Sequence, residues 1–111
     1  MNWRFGQINN NSSMIIRIFT AIVPQTKHSE FESKFKEISV PLVKGQKGLL
    51  GIDIARPTQW NPNTFVMISK WASEDDLIQF AGAKWNEAHI PSGMEKYIDS
   101  CSVEHFFNIS I

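Results

Sequence analysis

The stretch W-A-S-E-D-D-L-I-Q-F-A-G-A-K-W-N-E-A-H, Trp71 to His89, decides how the rest of the chain is read. It opens on the end of a strand and turns at once into a helix start. Ser73 has the chemistry of an N-cap, since its hydroxyl can accept from a free backbone N–H of the first turn. Glu74, Asp75 and Asp76 then put negative charge where the helix dipole is positive. At about 100° per residue, Leu77, Ala81, Trp85 and Ala88 fall within an arc of roughly 80°. Ile78 and His89 continue that arc on one side, and Phe80 flanks it on the other. The spacing predicts an amphipathic helix running to His89, with Gly82 as the residue that could interrupt it. Its buried face carries aromatics and ends in an imidazole.

Upstream, F-V-M-I-S-K-W (Phe65 to Trp71) reads as a strand, and so does L-L-G-I-D-I-A-R (Leu49 to Arg56), which Pro57 ends. The turn-forming run T-Q-W-N-P-N between them predicts a hairpin. M-I-I-R-I-F-T-A-I-V (Met14 to Val23) is apolar at both parities, so it should be a strand buried on both faces. After Pro24, Ser29 and Glu32 have the spacing of a capping box. Phe31, Phe35, Ile38 and Leu42 follow as a helical stripe. Pro41 removes one helix hydrogen bond, which predicts a kink or a stop near Ser39. Gly45 and Gly48 close the segment. Downstream of His89, the break Ile90-Pro91-Ser92-Gly93 precedes a short helical turn, Met94 to Ile98, and a last strand, Ser102 to Ile109.

The element order is β-α-β-β-α-β, which predicts an α+β, ferredoxin-like fold. Four strands form one antiparallel sheet, and right-handed crossovers place both helices on one face. Residues 14–111 make up this domain. The other sheet face is also apolar and the chain has nothing left to cover it, so a second copy is expected there, giving a homodimer. Residues 1–13 differ in composition and form an N-terminal arm that Trp3, Phe5 and Ile8 could pin down.

A chain of 111 residues can bury about two-thirds of its unfolded surface as one domain. Eleven acidic and eleven basic residues balance, with no basic run, which argues against a nucleic-acid partner. Lone Cys101 excludes an internal disulfide and fits a reducing compartment. No apolar run approaches the ~18 residues of a membrane span, and the N-terminus lacks the apolar core of a signal peptide, so the cytoplasm is the expected address. His28, His89, His105 and Cys101 have no metal-ligand spacing, and no metal is expected. No nucleophile elbow occurs. No glycine-rich phosphate loop occurs either, so no flavin or nicotinamide cofactor is expected.

What remains is an aromatic-lined space between sheet and helices. Phe19, Trp71, Phe80 and Trp85 are its candidate lining, and Arg17, His89, His105 and Tyr97 its polar candidates. Aromatic stripes at helical spacing also serve as core, as Phe31 and Phe35 do. Arg17 stands out within an apolar strand, because a buried guanidinium must find partners.

Several segments, in this order and spacing, resemble the antibiotic biosynthesis monooxygenase family. They are I-I-R-I-F (Ile15 to Phe19), K-G-L-L-G (Lys47 to Gly51), I-S-K-W-A-S (Ile68 to Ser73), F-A-G (Phe80 to Gly82) and V-E-H-F-F (Val103 to Phe107). The resemblance spans nearly everything after Met14. It implies a dimeric α+β barrel. Some members oxygenate aromatic polyketides or quinols without metal or flavin, some degrade haem, and others have no known activity. The function implied is a cofactor-independent monooxygenase acting on an aromatic, quinol or polyketide-like small molecule. Triplet oxygen reacts slowly with closed-shell organics, so the substrate must become an electron-rich anion. A dry aromatic pocket, a base and an anion donor would serve that end, with His89 as base and Arg17 as donor. The alternative is a non-catalytic dimeric ligand-binding module. Haem-degrading members carry an Asn on the first strand, a Trp in the second helix and a His near its end. His89 matches the last of these. Phe80 stands at the Trp position and Phe19 near the Asn position, so haem cleavage is a third reading, with binding through His89 its remaining form.

Overall fold

A computed structural model describes residues 13–111; the N-terminal arm, with Trp3 and Phe5, lies outside the described residues except for Ser13. Strand β1 (Ile15–Ile22) lies between β3 (Thr64–Trp71) and β4 (Ser100–Phe107), and β2 (Leu49–Ala55) pairs with the outer side of β3. Every pair is antiparallel, so the sheet has the ferredoxin-like order β2-β3-β1-β4. Alternation along β1 sends Ile15, Arg17, Phe19 and Ala21 to the helical side and Ile16, Ile18, Thr20 and Ile22 to the other. The last strand begins earlier than its sequence suggests. Ser100 and Cys101 pair with Ile22 and Ala21, and the Asp99 amide already donates to the Ile22 carbonyl at 2.8 Å. Pairing stops at Phe107, opposite Ile15, because β1 starts there.

The first helical rod has three parts: α1 (His28–Lys34), a π-helical turn (Phe35–Ser39) and α2 (Val40–Lys44). The anticipated Ser29–Glu32 capping box does not form. Lys27 holds the N-cap position without a side-chain bond. Glu32 instead accepts from the Arg56 guanidinium at 3.0 and 2.8 Å, and this bond holds its carboxyl below the usual carboxylate range. Pro41 does not stop the rod, which continues to Lys44. With no N–H to give the carbonyl four residues back, the proline is preceded by a widened turn, in which the Val40 amide reaches the Phe35 carbonyl. Widening changes which residues point inward. The stripe expected at Phe31, Phe35, Ile38 and Leu42 becomes Phe31, Phe35, Ser39 and Val43. Ser39 and Val43 are 7% and 6% exposed, whereas Leu42 is 42% exposed.

The second helix, α3 (Glu74–Ala81), starts as anticipated: the Ser73 hydroxyl accepts from the Asp76 amide at 3.1 Å, and three acids fill the first turn. It ends well short of His89. Gly82, at φ 87° and ψ −173°, sends its amide back to the Ile78 carbonyl at 2.6 Å and leaves the helix. That backbone region is open essentially to glycine alone, so the helical period visible through Trp85 and Ala88 counts for nothing past it. A strap, residues 83–93, follows without regular helix, and Met94 and Tyr97 re-enter the core around a short 3₁₀ turn.

The core lies between sheet and helices, centred on Phe31, Phe65, Trp71, Leu77 and Met94. Phe31 stands 4.8 Å from Phe65 and 5.0 Å from Phe35, ring centre to ring centre. Gly48, at φ 84°, ties the entrance of β2 to α3. Its carbonyl accepts from the Ala72 amide at 2.8 Å, and a Cβ there would run into the Asp76 carboxylate. On the opposite face, Ile16, Ile18, Ile22, Val66 and Ile68 are only half-buried, with no described helix above them. No helix among the described residues is long and apolar enough to cross a membrane.

Candidate functional site

Between the layers runs a narrow cleft of about 50 Å³, partly open to solvent. The sheet supplies its floor through Arg17, Phe19, Met67 and Ser69. Phe35, Ser39 and Val43 come from the first rod, and Phe80 from α3. The strap closes the remaining side with His89, Ile90 and Pro91, backed by Met94. The lining is mostly apolar with few polar groups, the usual character of a small-molecule site.

Arg17 is the unusual group. It is 6% exposed, and burial lowers its pKa, yet a guanidinium stays charged at neutral pH. No carboxylate lies within ion-pair distance of it among the described residues. Its Nη1 donates to the Trp85 carbonyl at 2.7 Å and to His105 Nε2 at 3.0 Å, and Nη2 reaches the Glu87 carbonyl at 3.5 Å. All three partners are neutral or dipolar, so the cation is solvated and its charge is left uncancelled. His105 is the cross-strand partner of Arg17 in β4. Accepting at Nε2 requires a neutral ring with its proton on Nδ1. Burial, and then the guanidinium beside it, hold its pKa below the ordinary histidine value.

The other sequence candidates divide into three groups. Phe19, Phe80 and His89 line the cleft with Arg17. Trp85 and His105 stand behind it, packed edge to face at 4.7 Å and 77°, and they hold the guanidinium in place. Trp71 and Tyr97 belong to the core. Trp71 stacks on Phe80 at 5.2 Å and gives its indole N–H to Ser69 Oγ at 3.0 Å. Tyr97 donates to the Glu30 carboxylate at 2.6 Å, away from the cleft. Sequence reasoning missed Ser39 and Ser69. Ser69 had a findable signal: it is two residues before Trp71, on the same face of its strand, and in register with Arg17. Ser39 had none, because its inward position depends on the π turn.

Comparison with known proteins bears on this architecture. A family model described as antibiotic biosynthesis monooxygenase matches residues 14–85, well over half of the chain. The chain belongs to the antibiotic biosynthesis monooxygenase family. No protein among those with curated functions matches it. Solved structures share its fold at low identity. A conserved protein from Methanosarcina mazei has a TM-score of 0.70 at 16% identity, covering 90% of this chain and 97% of that one. SnoaB, a cofactor-independent oxygenase from Streptomyces nogalater, gives 0.69 at 17%, covering 89% and 96%. A haem-degrading protein from Mycobacterium tuberculosis gives 0.60 at 19%, covering 84% and 91%.

The antibiotic biosynthesis monooxygenase match takes in β1, the π turn, β3 and α3, and hence Arg17, Phe19, Ser39, Ser69 and Phe80. It stops at Trp85. His89 therefore sits on the strap beyond the matched segment, exposed at the cleft mouth.

Proposed function

We propose that this chain is a cofactor-independent monooxygenase acting on an aromatic, quinol or polyketide-like small molecule held in the cleft. The observation that carries the reading is Arg17, a buried cation without a carboxylate, on the floor of an aromatic-lined slot. Such a group favours a bound anion, and an oxyanion is the state in which an oxygen-rich aromatic becomes reactive towards O₂. His89, which lines the cleft and is exposed, would take the proton. In the simplest balance a substrate CH₂ becomes C=O. One oxygen atom of O₂ stays on carbon and the other leaves as water with the two hydrogens, so the substrate supplies all the electrons. A second copy packed on the uncovered sheet face would complete a dimeric α+β barrel.

The test is oxygen uptake by the purified protein with a panel of anthrones and quinols. Turnover is expected, and His89→Ala should lower it by roughly 10²- to 10⁴-fold, the usual worth of a general base. Tight binding of the same compounds without oxygen uptake would replace this reading by the non-catalytic binding module. A haem absorbance shift that depends on His89, without turnover of quinols, would favour the haem reading.

A further inference from the structure

We propose that Ser39 is a specificity determinant, a hydroxyl on the helical wall that binds a second oxygen of the ligand, remote from the acidic oxygen at Arg17. This rests on the cleft being the substrate site, as above. Ser39 is more than nine-tenths buried, lines the cleft, and makes no side-chain hydrogen bond to any described residue. A helical serine ordinarily satisfies itself on the carbonyl one turn back. Here it does not. A buried hydroxyl without a partner costs free energy, and alanine at the same place would be both a better helix former and free of that cost. Buried polar groups that lack partners call for an explanation, and a ligand atom supplies one.

The π turn strengthens the argument, because it is what points this residue inward in place of Ile38. Such turns occur frequently at functional sites. Across the cleft, Arg17 and Ser69 are cross-strand partners on one sheet face. Ser69 accepts the Trp71 indole proton, which leaves its own O–H free to donate into the cleft. Besides these polar groups the lining includes Phe19, Phe35, Met67 and Phe80. The matching ligand is therefore a flat aromatic with an acidic oxygen at one end and a hydroxyl or carbonyl at the other.

Three probes separate the possibilities: naphthalene, 2-naphthol and 2,6-dihydroxynaphthalene, each titrated against the full chain by probe fluorescence. The wild type should bind the diol more tightly than 2-naphthol by roughly 2- to 10-fold, the net worth of one neutral hydrogen bond. Ser39→Ala should abolish that preference, leave 2-naphthol binding unchanged, and unfold at a temperature no lower than wild type. Arg17→Met should weaken both naphthols alike and leave naphthalene unaffected. A diol preference that survives Ser39→Ala, or one absent from the wild type, overturns the proposal while the cleft reading stands. A marked loss of thermal stability in Ser39→Ala would mean a structural role and also overturns it. If no probe binds the wild type, the cleft reading fails first and this inference with it.

Discussion

Arg17 and His105 stand 3.0 Å apart, and the bond between them exists only while the imidazole is neutral. Protonating His105 would remove the acceptor and set two cations side by side. Its folded pKa lies below the unfolded value of about 6.5, so the unfolded chain binds the proton more readily. The stability from this pair is complete above that unfolded value and is lost as pH falls through it toward the folded one. Melting temperature should thus drop between pH 7.5 and 5.5, and His105→Gln should flatten the drop. His28 and His89 remain in both proteins, so the difference isolates His105. An identical pH slope in the variant would end the argument. Arg17 itself was legible as a charge within an apolar strand. Its partners were not, because two of the three are backbone carbonyls, and every residue has one.

Gly82 settles where α3 stops and thereby where the strap begins. Alanine there has open space for its Cβ but not the backbone conformation, so Gly82→Ala should cost roughly 1–3 kcal/mol of stability. It should also disturb the Trp85 contact with His105, since Trp85 lies just downstream of the turn. Chemical denaturation checks the first claim, and a helix extended past Ala81 with unchanged stability would contradict it. The strands and the start of α3 could be read from alternation, prolines and the Ser73 cap, whereas the start of α1 carries no side-chain cap to read. The helix end could not, because Trp85 and Ala88 keep the 3.6-residue period by coincidence while packing elsewhere. Pro41 was equally visible. Its effect was not, since a widened turn and a broken helix begin from the same missing N–H.

The uncovered sheet face ties the fold to assembly. Ile16, Ile18, Ile22, Val66 and Ile68 form an apolar centre, with Asp53, Lys70 and Glu104 exposed on the same sheet. Packing of a second copy there should make thermal stability rise with protein concentration, because association acts on the folded state alone. Ile18→Asp, at the centre, should shift sedimentation from dimer to monomer at micromolar concentration. A wild type that sediments as a monomer throughout that range would remove the dimer. The two-sided apolar character of β1 was readable from the sequence, and so was the shortage of helices to cover it. What would pack on that face leaves no mark on the sequence of the face itself.

The π turn has a consequence for how this cleft can change. It amounts to one extra residue spliced into a helix, and Lys36 and Glu37 within it are exposed. Deleting either would restore the ordinary pitch and leave Ser39 and Val43 facing inward, now three and seven places past Phe35, whereas straightening the turn at its present length would bring Ile38 and Leu42 there instead. The chemistry of this wall is thus set by a length rather than by a substitution. A library of single-residue deletions and insertions across residues 35–39 would explore ligand preference that point mutation of the lining cannot reach.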